Sequence, residues 1–364
     1  MSARISALER LVAAVKNAHS CQLPLDIRGG GTKLFYGEPA AGDPLDTTEL
    51  AGITSYEPTE LVVTARAGTR LKELEAALAE CGQCLPFEPP RFGEGGTVGG
   101  MVAAGLSGPA RASVGSVRDH VLGVTLLSGR GEVLTFGGQV SKNVAGYDVS
   151  RLVAGSLGVL GVICEVSLKV LPRSVDTATI CFELDERQAL SQLQSWSSQP
   201  LPINATAWCG QRLYVRLAGA RAAVAFACGK LGGARLDSDR ASTWWNSVRD
   251  QREEFFMLSE EALARGESLW RLSVPATSAP LELTGRQFIE WNGAERWWKT
   301  STPHSRVREI AARAGGHATL MRGADKSGGV FAPVSDALMG IHQRLKQSFD
   351  PAGILNRGRL YAGL

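Results

Sequence analysis

Residues 28–33 read Arg-Gly-Gly-Gly-Thr-Lys. Three successive glycines cost conformational entropy on ordering and bury no side chain. In return the backbone can take positive φ and approach a ligand closely. Successive N–H groups in such a turn form a concave nest for an anion, and Arg28 and Lys33 bracket it with positive charge. Thr97-Val98-Gly99-Gly100 repeats the device before the small residues Met101–Ala104, and Gly155-Ser156-Leu157-Gly158-Val159-Leu160-Gly161 supplies a third glycine-lined passage. Three such passages suggest several pieces of backbone closing on one extended, phosphate-containing ligand. A pyrophosphate on convergent N–H groups at a helix N-terminus is the expected chemistry.

Other chemistries find little support. No G-x-x-x-x-G-K-[ST], H-E-x-x-H or G-x-S-x-G is present. Gly155, Gly158 and Gly161 are spaced three apart, so they do not make the G-x-G-x-x-G of a nicotinamide site. The histidines at 19, 120, 304, 317 and 342 are isolated, and no metal site is expected. Of these, only His317 is a catalytic candidate, because Gly315 and Gly316 leave its ring accessible. Cys81-Gly82-Gln83-Cys84 has no second pair at metal spacing and reads as structural.

The 364 residues give room for two domains. A net charge of +3, without basic runs interleaved with aromatics, argues against a nucleic-acid partner. The N-terminus lacks the apolar stretch of a signal peptide. The window 152–171 is broken by Glu165 and Lys169, so no membrane span is expected. Seven cysteines in a chain without an export signal read as cytoplasmic thiols.

The positioning elements follow from periodicity. Apolar residues at 8, 11, 12 and 15 predict a helix over 5–18, followed by a strand at 23–27. Residues 43–56 read as a loop. A strand at 61–65 precedes a helix with Leu71, Leu74 and Leu78 on one face, Thr69 as its N-cap and Gly82 as its stop. Strands at 121–127 and 132–136 form a hairpin, 142–148 is a polar loop, 149–154 a short helix, and 162–170 a strand. Pro172 marks a boundary. Beyond it short strands and helices alternate, all eight tryptophans lie after residue 195, and a last helix covers 335–349. Trp291, Trp297 and Trp298 suit either a core or an interface.

The strand followed by R-G-G-G-T and then T-V-G-G resembles the vanillyl-alcohol-oxidase (PCMH-type) family of FAD-binding domains. The resemblance covers 23–172 and resumes at Phe349-Asp350-Pro351-Ala352-Gly353-Ile354-Leu355-Asn356-Arg357-Gly358-Arg359. It implies an α+β fold: a two-lobed FAD-binding domain over 1–172, a smaller α+β lobe over 173–345, and a tail, 346–364, returning to the FAD domain. Residues 142–148 and Glu290-Trp291-Asn292-Gly293-Ala294-Glu295-Arg296-Trp297 are similar to the FAD-binding E subunits of bacterial glycolate oxidases. That resemblance implies oxidation of glycolate to glyoxylate in a complex with a catalytic flavin subunit and an iron–sulfur subunit. Electrons would pass towards a quinone, and any membrane contact would be peripheral, at the inner membrane through those partners.

The family pattern places the cofactor on Ile27, Arg28, Gly29, Gly30, Gly31, Thr32 and Lys33 for the pyrophosphate. Pro89, Pro90, Thr97, Val98, Gly99 and Gly100 would line flavin and phosphates, with Leu106, Ser107, Gly108 and Pro109 further along. Ser156, Gly158, Gly161, Val162 and Ile163 would pack on the adenosine, and Asn356 and Arg359 would approach the flavin. Relatives that attach FAD covalently carry a histidine where this chain has Thr32, so non-covalent FAD is expected. The G-H-x-G-D-G-N-x-H of related 2-hydroxy-acid dehydrogenases is reduced here to Gly315-Gly316-His317 without the acid or second histidine. Activity of this chain alone is therefore not expected, although Arg286, Arg296 and Arg322 offer cations for a substrate carboxylate. The rival readings are a self-sufficient FAD-dependent 2-hydroxy-acid dehydrogenase and a non-catalytic scaffold that retains a flavin site.

Overall fold

The computed structural model describes residues 6–138 and 148–364. Residues 142–147 of the expected polar loop lie outside that range. The first helix, Ala7–Cys21, starts where Ser6 and Glu9 form a reciprocal capping box, and it buries Leu11, Val15 and Ala18. It packs beside a two-stranded parallel pair, Leu25–Arg28 with Asp43–Asp46. The span expected as a loop over 43–56 thus contains two strands, Asp43–Asp46 and Ile53–Glu57. Their burial is slight and polar residues interrupt them, so they show no alternating pattern.

A five-stranded antiparallel sheet runs in the order Ile53–Glu57, Val62–Arg66, Val162–Lys169, Val121–Leu127, Val133–Gly137. Its central strands are almost wholly buried and rich in Val and Leu. The helix Leu71–Glu80 lays Leu71, Leu74 and Leu78 on this core. Its N-cap is Arg70 rather than Thr69. The Thr69 hydroxyl instead exchanges hydrogen bonds with Gly52, accepting from its N–H and donating to its carbonyl.

The second sheet has eight antiparallel strands drawn from 176–322. Its order is Ala234–Arg235, Asp176–Glu183, Arg212–Gly219, Ile203–Cys209, Gln287–Glu290, Glu295–Thr300, Ser268–Ser273, His317–Arg322. Clusters around Trp208 and Leu213, and around Trp270 and Trp298, form two of its cores. Phe288, Trp297 and Met321 pack in another, with Tyr36, Ala104, Leu106 and Leu157 from the first half of the chain. Loops and the Val98–Ala104 helix of the first half are thereby joined to the eight-stranded sheet through apolar contact. Trp291, Trp297 and Trp298 are all buried, and each indole N–H finds an acceptor: the Gly108 carbonyl, the Glu290 carboxyl and the Thr284 carbonyl. The core reading of these tryptophans holds, with Trp291 and Trp297 at the junction of the halves and Trp298 inside the second.

The C-terminal helix, Asp336–Phe349, ends in a buried knot. Lys346 pairs with Asp350 at 2.7 Å and also donates to the carbonyls of Val159 and Leu355. Asp350 in turn accepts the N–H groups of Ile354 and Leu355. Removing one member of a buried pair leaves the other charge uncompensated, which typically costs about 3–5 kcal/mol. Lys346→Ala should therefore lower the free energy of unfolding by about that amount, read from urea denaturation. A loss below about 1 kcal/mol would mean that Asp350 is resolvated without its partner.

Candidate functional site

The glycine run leaves the end of the Leu25–Arg28 strand and lines a cleft of about 780 Å³, counted to its open mouth. Ile27 to Lys33, Thr97, Gly99, Gly100, Gly158, Gly161, Ile163, Asn356 and Arg359 all line it. Leu157, within the third glycine passage, lines it too, as do Leu34, Thr47, Ala67, Ala103 and Ala104, which sequence reasoning missed because small and apolar side chains carry no chemical signal. Among the described residues, the N–H groups of Gly29, Gly30, Gly31, Thr32 and Lys33 donate to no protein acceptor. Five successive free donors along one wall suit an anion.

The glycines do different work from one another. A Cβ on Gly30 would overlap the Gly95 carbonyl, one on Gly29 the Thr97 hydroxyl, and one on Gly99 the Ala67 side chain. Those three allow segments of the protein to pack together. Gly31 has φ +71° and Gly100 meets only the Thr97 hydroxyl, so these two face open space. The helix Val98–Ala104 has only seven residues, and its Thr97 cap already accepts the Gly100 N–H. The N-terminus expected to hold phosphate is thus short and in part satisfied.

The bracketing charges are also differently placed. Arg28 is bound to the buried Asp26 at 2.6 Å. Lys33 lies over the Phe92 ring, and burial pulls its ammonium down to about 8 despite the nearby Asp250. The tail residues hold the cleft walls. Asn356 accepts the Ile27 N–H at 2.6 Å and donates to the Leu157 carbonyl at 2.6 Å. Arg359 donates to the carbonyls of Leu34, Tyr36 and Glu38.

Other expected site residues fall outside this cleft. Val98 and Val162 are core. Pro89 is buried, and Ser156 lines a separate groove against the C-terminal helix. Pro90 and Leu106 to Pro109 form one wall of a smaller chamber, whose other wall is the eight-stranded sheet. There Glu290 and Glu295 sit as partners on adjacent strands, both buried, with Arg271 nearby. Burial, reinforced by Glu295, raises the Glu290 carboxyl well above its ordinary range, while Trp297 donates to it at 2.9 Å. Burial pushes Glu295 up to about 7, with Arg271 and Arg111 opposing. His317, the candidate base, lines neither cavity and is exposed at the start of its strand, opposite Ser273. Burial and Arg271 lower its pKa. The expected carboxylate binders are committed elsewhere: Arg296 is fully buried on Gly293, Ser278 and Glu186, and Arg286 pairs with Glu254 at the surface. Arg322 lies over Phe35 and Phe92.

Residues 3–137 match the family described as FAD binding domain. Over 356 residues the chain is 45% identical to the glycolate oxidase subunit GlcE of Escherichia coli (strain K12), with 98% of each chain covered. The chain belongs to the glycolate oxidase subunit GlcE family. FAD is accordingly its cofactor, and an oxidoreductase role follows from the family. A D-lactate dehydrogenase of Archaeoglobus fulgidus is 32% identical over 179 residues, covering 47% of this chain and 39% of that protein. Among solved structures, an alkyldihydroxyacetonephosphate synthase superposes over 97% of this chain and 74% of its own, with a TM-score of 0.67 at 15% identity. That likeness establishes the fold alone, the α+β architecture expected of such FAD-binding proteins. No helix among the described residues is long and apolar enough to cross a membrane.

The buried acid pair has a consequence for stability. Folded Glu295 holds a proton up to about pH 7 that the unfolded chain releases near 4.5. Its contribution is thus full below 4.5 and lost as pH rises through 7. The groups facing it are Glu290, Arg271, Arg111 and Trp297. Urea midpoints should fall between pH 5 and 8, and the fall should be shallower in Glu295→Gln, which stays neutral throughout. Equal slopes in the two proteins would refute the shifted carboxyl.

Proposed function

We propose that this chain is the FAD-holding subunit of a glycolate oxidase complex, with the dinucleotide seated non-covalently in the glycine-lined cleft. The observation that carries the reading is the row of five unpartnered N–H groups from Gly29 to Lys33 on the wall of the glycine-lined cleft. The kinship with a named glycolate oxidase subunit over nearly the whole chain supports the reaction we assign to the complex, glycolate oxidised to glyoxylate. Electrons would leave through a catalytic flavin subunit and an iron–sulfur subunit towards a quinone-type acceptor. The complex would be cytoplasmic, with peripheral contact at the inner membrane through those partners. The working units are 1–172 for FAD, 173–345 for substrate or partner, and the tail 346–364.

FAD supplies two-electron acceptance when bound. The chain's own task is to hold and orient it. The free N–H groups of Gly29 to Lys33 would solvate the pyrophosphate, and Gly31 and Gly100 would leave room for it. Asn356 and Arg359 would fix the walls through their hydrogen bonds to strand and loop carbonyls rather than by touching the flavin. Attachment by a covalent bond lacks a nucleophile, because the lining residues include no histidine, cysteine or tyrosine.

Acid precipitation of the purified chain should release all yellow flavin into the supernatant, and flavin kept by the washed pellet would contradict non-covalent binding. Flavin-free Gly100→Leu should unfold with a free energy within about 1 kcal/mol of the flavin-free parent's, since a Cβ there meets only the Thr97 hydroxyl. The variant should lose most of its flavin, read from absorbance per protein. Full flavin content in this variant would move the cofactor out of the cleft.

A further inference from the structure

A second cleft opens where the two halves of the chain face each other, with room for about 550 Å³ of water. Small-molecule sites have volumes of this order and favour such junctions. One wall comes from the first half: the helix Leu71–Glu80 and the segments 84–91, 110–114 and 171–174. The other comes from the strands Asp176–Glu183 and Arg212–Gly219 and the helix Ser238–Arg249. None of the residues placed on the dinucleotide lines it.

Five arginines line this cleft, Arg91, Arg173, Arg216, Arg235 and Arg249, against two carboxylates, Glu75 and Glu88. Three of the arginines are matched. Arg91 meets Glu75 at 2.6 Å, Arg216 meets Glu88 at 2.8 Å, and Arg249 meets the buried Asp250 behind the wall at 2.9 Å. Arg173 and Arg235 pair with no carboxylate among the described residues. Arg173 gives its Nε to the Gln83 carbonyl at 3.3 Å, which leaves both terminal nitrogens of its guanidinium free. Deeper in, Arg91 Nε is buried and makes no hydrogen bond. Burial also works against the Glu75 charge and raises its carboxyl above the ordinary range, although Arg91 and Arg249 oppose this. The acids are therefore the weaker side of the balance. Along the same walls the hydroxyls of Ser174, Thr177, Ser238 and Ser242 donate to no protein acceptor. A concave wall with cations left over concentrates anions, and neutral donors beside them add hydrogen bonds.

We infer that this cleft binds a small molecule carrying two or more anionic groups, one held by Arg173 of the first half and another by the second-half wall, where Arg235 is the unpaired cation. A guanidinium fork takes a carboxylate and a phosphate equally well, so the shared chemistry is the clustered negative charge. An acid with a single carboxylate would match one of the two spare cations and leave most of the volume to water. A ligand with several anionic groups engages both walls at once and ties the halves together. The inference goes beyond the reading as a glycolate oxidase subunit and does not rest on it.

The test is isothermal titration of the purified, flavin-loaded chain, whose glycine cleft is filled, with citrate and with inorganic pyrophosphate. One saturable site is expected for at least one of them, and which one binds tells carboxylate from phosphate. Acetate, with its single charge, should bind at least about tenfold more weakly, the worth of one charge-assisted hydrogen bond. Arg173→Gln and Arg235→Gln should each weaken the site by roughly tenfold. Both positions are exposed, so the variants should fold as the parent does. Arg265→Gln, exposed and outside the cleft, removes the same charge and should change nothing, which separates a site from general attraction to a basic surface. Absence of saturable binding by both probes, or parental affinity in both arginine variants, would overturn the inference. So would binding of an acidic peptide with neither small anion, because the cleft would then be a docking groove for another protein.

Discussion

The side-chain amide of Asn356 is the tie on which the cleft depends. It joins the Ile27 N–H to the Leu157 carbonyl, and so fixes the spacing between the strand that launches the glycine run and the segment that carries Gly158. Both bonds are 2.6 Å and buried or nearly so, where an unmade hydrogen bond costs most. Asn356 can be there only because the chain returns from the eight-stranded sheet of residues 176–322. The Lys346–Asp350 pair brings it in: the ammonium grips Val159 and Leu355, and the carboxylate grips Ile354 and Leu355. A leucine bridge, Leu25 to Leu355, sets the tail beside the first strand. The last 20 residues thus complete a site whose ligand-facing backbone is near the N-terminus.

The same logic holds the glycine loop from the other side. Lys326, from the second lobe, donates to the carbonyls of Phe35 and Gly37, and Arg359 takes those of Leu34, Tyr36 and Glu38. With its carbonyls committed to cations from elsewhere, the segment after the glycines has little freedom. The preceding N–H groups are left as the unsatisfied ones. Gly37 itself, at φ +91° with Leu157 and Arg359 packed against it, belongs to this clamp. Its neighbours make it as demanding a position as Gly30.

Where the halves meet, apolar contact and polar cost are set against each other. Phe288, Trp297 and Met321 pack on Tyr36, Ala104 and Leu106, a large burial that favours a fixed junction. Into it are placed two carboxyls on facing strand positions and an arginine without a hydrogen-bond partner at Nε. Two like acids side by side in a dry place hold on to protons. An apolar junction would have been easier to build, so the chemistry of this wall is a constraint that the packing accommodates.

Much of the first half was legible in the residues. Alternation and helical spacing located the helix from residue 7, the strands at 62–66, 121–127 and 162–169, and the helix carrying Leu71, Leu74 and Leu78, because burial on one face leaves a period in the sequence. The glycine runs declared a backbone surface, and the tail motif declared its return. The sequence could not show which glycines face a ligand and which face protein: Gly30 against Gly95 and Gly99 against Ala67 are contacts between distant segments. Nor could it show that Arg28 is spent on Asp26, that Thr69 serves Gly52 instead of a helix, or that Arg296 is consumed by carbonyls. Composition gives the charge of a side chain, and only the fold gives its partner. Arg173 and Arg235 lie in unrelated sequence contexts and share one cleft only because the strand Asp176–Glu183 starts beside the first and pairs Ile180 with the second. Local pattern determined the elements, and long-range packing decided which of their polar atoms remain free to do chemistry.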